Sequence, residues 1–353
     1  MRLIIPEVYL DESVEEREKN LVNAMNEYTE NGVFTEYKDS LVYVERTLRD
    51  GSIRRGLVGA VDLDDYEFSG GKAAVRASEG TARERLPVRI SIRRGAAYEL
   101  PHIMSFIDDT DKTVIEPLTK KAAELPLLYD FELMEGGGHI KGRLVSGHSA
   151  ESVMDALQAL NANSDTLIVI GDGNHSLAAA KVYWDELKQG LSETERKEHP
   201  ARKALLEINN VYEESIIFEA IHRVIYGADA AGFIHELETA MPAGSDYFFR
   251  WYSCSGSGAV GVCASCIGDA LSHLSSFLDA YTDHHDCVID YVHGEETVKR
   301  LSQEESRVGL ILPAMEKSEL FATVAAKGVF PKKSFSVGRA TDKRYYLECR
   351  KIK

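Results

Sequence analysis

Residues 166–181 read Thr-Leu-Ile-Val-Ile-Gly-Asp-Gly-Asn-His-Ser-Leu-Ala-Ala-Ala-Lys, and the rest of the chain is organised around this stretch. Its first part is apolar or β-branched, which predicts a buried strand over 166–170. The sequence Gly-Asp-Gly at 171–173 predicts a tight turn, and the alanine-rich run that begins at Ser176 favours a helix. A buried strand that leads directly into a helix is typical of the α/β classes of fold.

The predicted junction between strand and helix carries four different polar side chains: Asp172, Asn174, His175 and Ser176. The first amides of a helix have no partner within the helix, and the helix dipole adds partial positive charge there. Such a junction suits phosphate or another anion. The same residues also fit an ordinary turn in which Asn174 or Ser176 caps the helix. We favour a ligand site, because the variety of polar groups exceeds what a cap requires.

The composition is that of an ordinary globular protein of 353 residues, with 44% hydrophobic and 28% charged residues. The formal net charge of −16 argues against nucleic acid as a main partner, but it does not exclude a small anionic ligand. No apolar run approaches the roughly 20 residues of a membrane span, and the first residues do not resemble a secretory signal. Five cysteines, an odd number, fit a reducing cytoplasm better than a disulfide framework.

The order of predicted elements divides the chain into three parts. Residues 1–228 form a core domain that carries the strand-to-helix junction and includes a hairpin over 41–63. Residues 229–330 form a smaller α/β unit, in which alternating strands and helices predict a partly parallel sheet. Residues 331–353 are a loop and a closing strand that return to the core. The expected fold is therefore mixed α/β with mixed sheets.

Several basic side chains outside the junction are candidates for holding an anion. Arg85 lies in the most basic part of this acidic chain, which is either an anion site or a solvated face. His222 and Arg223 interrupt an apolar strand, where an unpaired charge is costly, so we expect Arg223 to bind a ligand or form an ion pair. His139 follows three glycines and is either a ligand contact or a surface histidine.

Ten short motifs together resemble domain-of-unknown-function family 1015 over essentially the whole chain. They are Pro-Glu-Val-Tyr-Leu at 6–10, Tyr-Val-Glu-Arg-Thr at 43–47, Gly-Leu-Val-Gly-Ala-Val-Asp at 56–62, Glu-Gly-Thr at 79–81 with Glu-Arg at 84–85, Leu-Pro-His-Ile-Met at 100–104, Tyr-Asp-Phe-Glu-Leu-Met at 129–134, Gly-Gly-His-Ile at 137–140, Asp-Gly-Asn-His-Ser at 172–176, His-Arg-Val at 222–224 and Pro-Lys-Lys-Ser at 331–334. Relatives usually carry several dozen residues before the first motif, so the resemblance implies that this chain is shortened at its start.

Part of that family's core is similar to the fold shared by ParB, sulfiredoxin and free-serine kinases, which bind nucleotide phosphates at a polar turn that opens a helix. Many family members read Asp-Gly-His-His-Arg at this turn, whereas this chain has Asn174 and Ser176 in place of the first histidine and the arginine. Arg85, Arg223 or Lys333 would therefore have to supply the positive charge. The resemblance implies a ParB/sulfiredoxin-like core with a nucleotide site at the central turn.

The activity implied by the resemblance is the transfer of a phosphoryl group from ATP or ADP to free serine or a similar small hydroxyl compound. Glu79 would be the general base, and Asp172 would hold Mg²⁺ or orient the acceptor. His175, together with the amides of the helix start, would stabilise the transferring phosphoryl group. The expected nucleotide-binding residues are Gly173, Asn174, Ser176, Arg85, His139, His222, Arg223, Lys333 and Ser334.

Two other functions are compatible with the same residues. The altered central motif fits a non-catalytic regulator that binds a nucleotide or metabolite without turning it over. A phosphatase would use the same residues with water as the acceptor. In all three cases the expected partner is a small molecule, and the expected compartment is the cytoplasm.

Overall fold

The structure of the protein is a computed structural model that describes residues 2–10, 14–100, 102–162, 164–339, 342–345 and 347–353. It has a mixed α/β fold, as the sequence predicts. None of the helices in these ranges has both the length and the apolar character needed to cross a membrane.

Helices and strands alternate along much of the described chain. The helices are α1 (Glu15–Glu30), α2 (Leu86–Gly95), α3 (Glu116–Lys120), α4 (Gly147–Asn161), α5 (Asn174–Leu187), α6 (Glu193–Glu198), α7 (Ala230–Ala240), α8 (Ile267–His284), α9 (Glu295–Leu301) and α10 (Glu319–Lys327). The strands are β1 (Leu41–Thr47), β2 (Ile53–Asp62), β3 (Tyr66–Glu67), β4 (Val75–Ala77), β5 (Tyr98–Glu99), β6 (Met104–Ile107), β7 (Leu127–Glu132), β8 (His139–Val145), β9 (Ile168–Asp172), β10 (Lys203–Asn210), β11 (Phe218–Tyr226), β12 (Tyr247–Ser253), β13 (Gly256–Val262), β14 (Val288–His293), β15 (Arg307–Ile311), β16 (Phe335–Val337) and β17 (Arg350–Lys351).

The chain divides into two compact units, each assembled from separated segments. Unit 1 contains residues 1–77, 81–216 and 339–353, and unit 2 contains residues 78–80 and 217–338. These boundaries differ from the predicted ones after residues 228 and 330. The reason is strand pairing, because β11 pairs with β14, β15 and β16 and thereby belongs to unit 2.

Unit 1 is built on a nine-stranded sheet with the order β3-β4-β9-β6-β10-β2-β1-β8-β7. β1 and β2 form the predicted antiparallel hairpin. β9 lies within the sheet, parallel to β4 and antiparallel to β6, and Val169 and Ile170 in it are fully buried. α5 follows β9 and packs against α2, so the sheet and these helices fix the position of the strand-to-helix junction.

The last residues of unit 1 form less strand than the sequence predicts. The predicted closing strand is reduced to β17, which pairs with β5. Around it, Ile352 is buried in a cluster with Leu21 and Met25 of α1. The C-terminal segment is therefore part of the core of this unit, although it is mostly irregular.

Unit 2 is built on a six-stranded sheet with the order β13-β12-β15-β11-β14, in which β16 also pairs with β11. The prediction of a partly parallel sheet is wrong, because every pairing of its described strands is antiparallel. β14 and β15, joined by α9, do run in the same direction. They are not neighbours, however, because β11 lies between them and is antiparallel to both.

Candidate functional site

The central turn is shorter than the sequence suggests. β9 continues through Gly171 and Asp172, and α5 begins at Asn174, so Gly173 alone forms the turn with φ 88°. A Cβ atom at Gly173 would lie 2.4 Å from the carbonyl oxygen of His102, which explains why glycine occupies this position. The alternative in which Asn174 or Ser176 caps the helix is wrong, because the N-cap is Gly173 and no side chain caps the helix.

Asp172 lies at the end of β9 and is contacted by a lysine from the C-terminal segment. Its Oδ2 atom is 2.5 Å from Nζ of Lys343 and 3.7 Å from Nδ1 of His102. Its Oδ1 atom accepts a hydrogen bond from the amide of Gly173 at 3.0 Å. Because about a quarter of the Asp172 side chain and more than a third of the Lys343 side chain are exposed, a small ligand has access to this pair.

His102 is oriented by a backbone hydrogen bond. Its Nε2 atom accepts from the amide of Arg344 at 3.1 Å, so the neutral ring carries its proton on Nδ1, the atom that faces Asp172. Burial lowers the pKa of His102, and the charge of Lys343 acts in the same direction, while that of Asp172 opposes them. The ring is therefore neutral at physiological pH and can donate a hydrogen bond towards the carboxylate.

A buried arginine cluster fixes the segment that carries Lys343. Arg54 donates to the carbonyl oxygen of Asp342 at 2.7 Å, and Arg46 donates to that of Lys343. Arg344 and Arg54 flank the buried Glu207, with Nε-to-carboxylate distances of 3.2 and 3.5 Å. Burial acts to raise the pKa of Glu207, but the guanidinium groups outweigh it and keep this pKa below its usual value.

Three further predicted residues of unit 1 are His175, Arg85 and His139. Nε2 of His175 accepts from the amide of Ala82 at 3.2 Å, so the ring already has a structural partner beside α5. Arg85 is exposed, in the short turn that precedes α2. His139 is paired with Asp130, at 2.8 Å, on the neighbouring strand β7. Because β8 lies five strand positions from β9, the structure does not bring His139 to the Asp172 turn.

Glu79 lies in unit 2, where residues 78–80 run beside Phe330. The amide of Gly80 donates to the carbonyl oxygen of Phe330 at 3.2 Å, and the amide of Phe330 donates to that of Ser78 at 2.7 Å. The carboxylate of Glu79 accepts hydrogen bonds from the backbone amides of residues 333–335. Burial raises the pKa of Glu79 to about 7, although these amides and the charge of Lys333 act to lower it.

Arg223 is buried and holds the loop that binds Glu79. Its guanidinium donates to the carbonyl oxygens of Lys333, at 3.0 Å, and Ile221, at 2.5 Å, and lies over the ring of Tyr291. Burial lowers the pKa of Arg223 to about 10, while the negative charge of Glu79 acts to raise it. These contacts show that the guanidinium of Arg223 supports the loop. It is therefore less available as a cation for a bound anion.

Two further predicted residues of unit 2 have partners inside the protein. Nδ1 of His222 accepts from the amide of Leu312 at 3.2 Å, and burial lowers the pKa of His222 to about 4. The hydroxyl of Ser334 donates to the carbonyl oxygen of Pro331 at 2.7 Å. Both side chains therefore shape the surroundings of the loop around Lys333.

Apart from Arg85 and His139, the predicted residues thus form two clusters, one in each unit. One cluster is Asp172 with the start of α5, and the other is Glu79 with Arg223 and the loop over 331–335. Sequence reasoning missed His102 and Lys343. His102 lies in the Leu-Pro-His-Ile-Met motif, which was a usable signal, whereas no sequence pattern marks Lys343.

A divalent metal has one candidate ligand in the first cluster. Among the described residues, no group of three or more histidine, cysteine, aspartate or glutamate side chains is arranged to hold a metal ion. Mg²⁺ is usually held by one or two carboxylates together with water and substrate phosphates. Asp172 therefore fits a Mg²⁺ ion that arrives with a nucleotide, and it does not form a site for the ion alone.

The sequence matches a described protein family over nearly its whole length. The family described as "Protein of unknown function (DUF1015)" matches residues 1–342. The chain belongs to this family. This confirms the resemblance that the ten motifs indicate.

Three solved structures have a similar course of the chain at low sequence identity. A conserved hypothetical protein from Pyrococcus furiosus is 12% identical, with a TM-score of 0.43 over 84% of this chain and 95% of that one. A free serine kinase in complex with AMP is 11% identical, with a TM-score of 0.46 over 84% and 91%. SbnI with C-terminal truncation from Staphylococcus aureus is 9% identical, with a TM-score of 0.45 over 83% and 87%. At this level of similarity we draw no functional conclusion from them.

A curated relative matches a shorter part of the chain. It is N-(5'-phosphoribosyl)anthranilate isomerase from Cereibacter sphaeroides, 30% identical over 112 residues. The match covers 30% of this chain and 53% of that protein, so the chain spans about half the length of this relative. The activity of the isomerase is not transferred to this chain on so partial a match.

Proposed function

We propose that this protein is a nucleotide-dependent phosphotransferase that acts on a small hydroxyl compound such as free serine, with ATP or ADP as the donor. The observation that carries the proposal is the carboxylate of Glu79, whose pKa is raised to about 7. A general base works best when its pKa lies near the operating pH, because it is then deprotonated and still has a high affinity for a proton.

Glu79 fits the role of a base because its carboxylate is held by neutral amides. The amides of residues 333–335 orient the carboxylate, and burial maintains its affinity for a proton. In the proposed step the acceptor hydroxyl gives its proton to Glu79, and its oxygen forms a bond to the terminal phosphorus of the donor. The bond from that phosphorus to the leaving phosphate oxygen breaks, and the electron pair stays on the leaving group.

Asp172 and Lys343 are the proposed contacts for the donor phosphates. Lys343, whose side chain is 38% exposed, would exchange Asp172 for a phosphate oxygen, and the first amides of α5, which begins two residues after Asp172, would add further donors. Asp172 would then hold Mg²⁺, which would neutralise part of the charge of the donor phosphates. Nδ1 of His102, which lies 3.7 Å from Oδ2 of Asp172, would remain beside the carboxylate.

A ligand panel followed by product analysis tests this function. We expect the melting temperature of the purified chain to rise with one nucleotide in the presence of Mg²⁺, and with one hydroxyl compound or its phosphate, because ligands stabilise the state that they bind. The panel contains ATP, ADP, CTP, serine and phosphoserine. Isothermal titration that finds no binding of ATP, ADP or phosphoserine contradicts the proposal.

One observation favours a second candidate, a non-catalytic nucleotide- or metabolite-binding regulator. The charges of Asp172 and Lys343 neutralise each other, and the central turn lacks the arginine expected from the family resemblance. Such a regulator binds the same ligands without consuming them. Release of free phosphate from phosphoserine without consumption of a nucleotide would instead assign a phosphatase, which uses the same base with water as the acceptor.

The proposed compartment is the cytoplasm. All five cysteines, Cys254, Cys263, Cys266, Cys287 and Cys349, are free thiols. Free thiols in this number suit a reducing compartment. Nucleotides of the kind that the proposed activity needs are abundant there.

A further inference from the structure

Unit 1 contains a cavity of about 190 Å³, and two of its lining residues, His102 and Ser176, lie close to Asp172 in space or in sequence. Most of its lining is aliphatic and comes from the segment over 3–10, from α1, from α2 and from α5, with Ile5, Leu21, Ile92 and Ala179 as examples. An apolar cavity of about 150 Å³ is large enough to bind benzene. The space is therefore sufficient for a small organic molecule with an apolar body.

The polar end of this cavity contains Arg93, whose side chain is only 11% exposed. Its Nη1 atom donates to the carboxylate of Glu99 at 2.5 Å. Its Nε and Nη2 atoms are buried and have no hydrogen-bond partner within the described part of the chain. These two N–H groups lie on the same edge of the guanidinium, and such an edge matches the two oxygens of a carboxylate.

The charged groups around Glu99 carry a net positive charge, which one further negative charge would compensate. Glu99 is bound by Arg93 and by Arg350, which approaches it at 3.3 Å, and it also accepts from the amide of Leu205 at 2.8 Å. Two guanidinium groups thus surround a single buried carboxylate. Arg89, also in the lining, is paired with Glu7, whose side chain is 75% exposed. Because buried charges are stable only when compensated, a monoanion beside Arg93 is favoured.

We propose that this cavity binds the anion of a small hydrophobic carboxylic acid. The carboxylate lies on the Nε–Nη2 edge of Arg93, and the apolar body lies among the aliphatic side chains of α1, α2 and α5. The single uncompensated positive charge favours a carboxylate over a phosphate dianion, and the aliphatic lining favours an apolar body over a polar one. The inference does not depend on the phosphotransferase proposal, because its ligand is different and because Arg93, which would hold that ligand, takes no part in the proposed transfer.

Isothermal titration with three probes tests the two parts of the proposed ligand separately. The probes are 4-methylpentanoate, 4-methylpentan-1-ol, which has the same body without the charge, and acetate, which has the charge without the body. We expect saturable binding of 4-methylpentanoate to the full chain, with an affinity about tenfold or more above that of either other probe. Absence of saturable 4-methylpentanoate binding overturns the proposal and assigns the free edge of Arg93 to water.

Substitutions of Arg93 identify the residue that holds the carboxylate. Arg93→Gln should weaken 4-methylpentanoate binding about tenfold or more, whereas the neighbouring Arg94→Gln should leave it unchanged, because Arg94 is 62% exposed. Arg93→Lys retains the positive charge beside Glu99 but loses the pair of N–H donors that matches a carboxylate. It should therefore also weaken binding, in a chain that still folds. Binding by Arg93→Lys as tight as that of the unmodified chain overturns the proposal.

Discussion

The two candidate carboxylates offer a direct comparison, because each is followed at once by a glycine. Asp172 precedes Gly173 in unit 1, and Glu79 precedes Gly80 in unit 2. Asp172 is bound by the ammonium group of Lys343 and remains open to solvent. Glu79 is bound by backbone amides, and burial raises its pKa to about 7.

This difference shows how the surroundings of a carboxylate set its chemical role. A carboxylate beside an ammonium group is suited to bind cations or to exchange its partner for a phosphate. A carboxylate with a pKa near 7 can take up and release a proton during a reaction. The predictions below test this division of roles, beginning with the largest expected effect.

The largest expected effect is the loss of turnover on Glu79→Gln. If Glu79 is the base, kcat should fall by about 10² to 10⁴-fold, because glutamine cannot accept a proton. The exposed Glu84→Gln is the matched control and should leave kcat unchanged. In the unmodified chain kcat/KM should increase between pH 6 and 8 with an apparent pKa of about 7. Equal turnover of Glu79→Gln and the unmodified chain would assign Glu79 a structural role only.

Substitution by alanine should change the free energy of unfolding much more at Gly173 than at Gly80. Gly173→Ala should lower the free energy of unfolding of unit 1 by about 3 kcal/mol, because the new Cβ meets the His102 carbonyl at a positive φ. Gly80→Ala meets no atom within 4 Å and should change the free energy of unfolding by less than about 1 kcal/mol. Urea unfolding followed by the fluorescence of Trp184 for unit 1 and Trp251 for unit 2 measures both. Similar losses in the two variants would contradict the geometric difference.

The pH dependence of stability should reveal the raised pKa of Glu79. The pKa of Glu79 is higher in the folded state than its usual 4.5, so folding takes up a proton between about pH 4.5 and 7. The stability contributed by this group is fully present below pH 4.5 and is lost as the pH rises to 7. The free energy of unfolding of Glu79→Gln should therefore increase relative to that of the unmodified chain, by at most about 3 kcal/mol across this interval.

Urea unfolding of unit 2 at pH 4.5, 5.5, 6.5 and 7.5 provides this measurement. Glu84→Gln again serves as the control, since this side chain is exposed. A free-energy difference between Glu79→Gln and the unmodified chain that stays constant over this pH range would show that the pKa of Glu79 is not raised.

The smallest effect on stability is expected for Lys343→Met. Because both partners are partly exposed, loss of the Asp172 ion pair should change the free energy of unfolding by no more than about 1 kcal/mol. Nucleotide affinity should nevertheless fall about tenfold, because a cation is lost beside the proposed phosphates. Lys197→Met, which removes an exposed lysine that is paired with Glu193 in unit 1, is the control. Unchanged nucleotide affinity in Lys343→Met would remove Lys343 from the site.

The local elements of the fold were predictable because short sequence patterns specify them. The apolar run that ends at Ile170 and the alanine-rich run after Ser176 predict β9 and α5, and both are present. The ends of these elements were less predictable. Asn174 and His175 have modest helix propensity, yet they lie inside α5, because Gly173 alone completes the turn.

The pairing of distant strands was not predictable from local patterns. Alternating strands and helices in unit 2 are typical of a parallel sheet, but β11 lies between β14 and β15 and pairs with both in the antiparallel direction. β11 is about 60 residues before β14 in the chain, and no periodic pattern encodes such a pairing. The boundaries of the two units follow from the same pairing.

The sequence identified residues of the candidate site, but it did not identify the groups that surround them. The sequence identified Asp172 and Glu79 as candidates. It did not indicate that Lys343, 171 residues away, contacts Asp172. It also did not indicate that the amides of residues 333–335 surround Glu79, because backbone amides leave no mark in a sequence.

The segmented construction of unit 1 has a consequence for how the protein is made on the ribosome. Residues 339–353 supply Lys343, the Arg344 partner of Glu207 and the buried Ile352, and they are synthesised after all of unit 2. The nascent chain must therefore hold Glu207 without this partner while all of unit 2 is translated. All strands of the unit 2 sheet are therefore synthesised before the segment that completes unit 1. A premature stop codon before residue 343 would thus remove part of the core of a unit whose other segments are translated earlier.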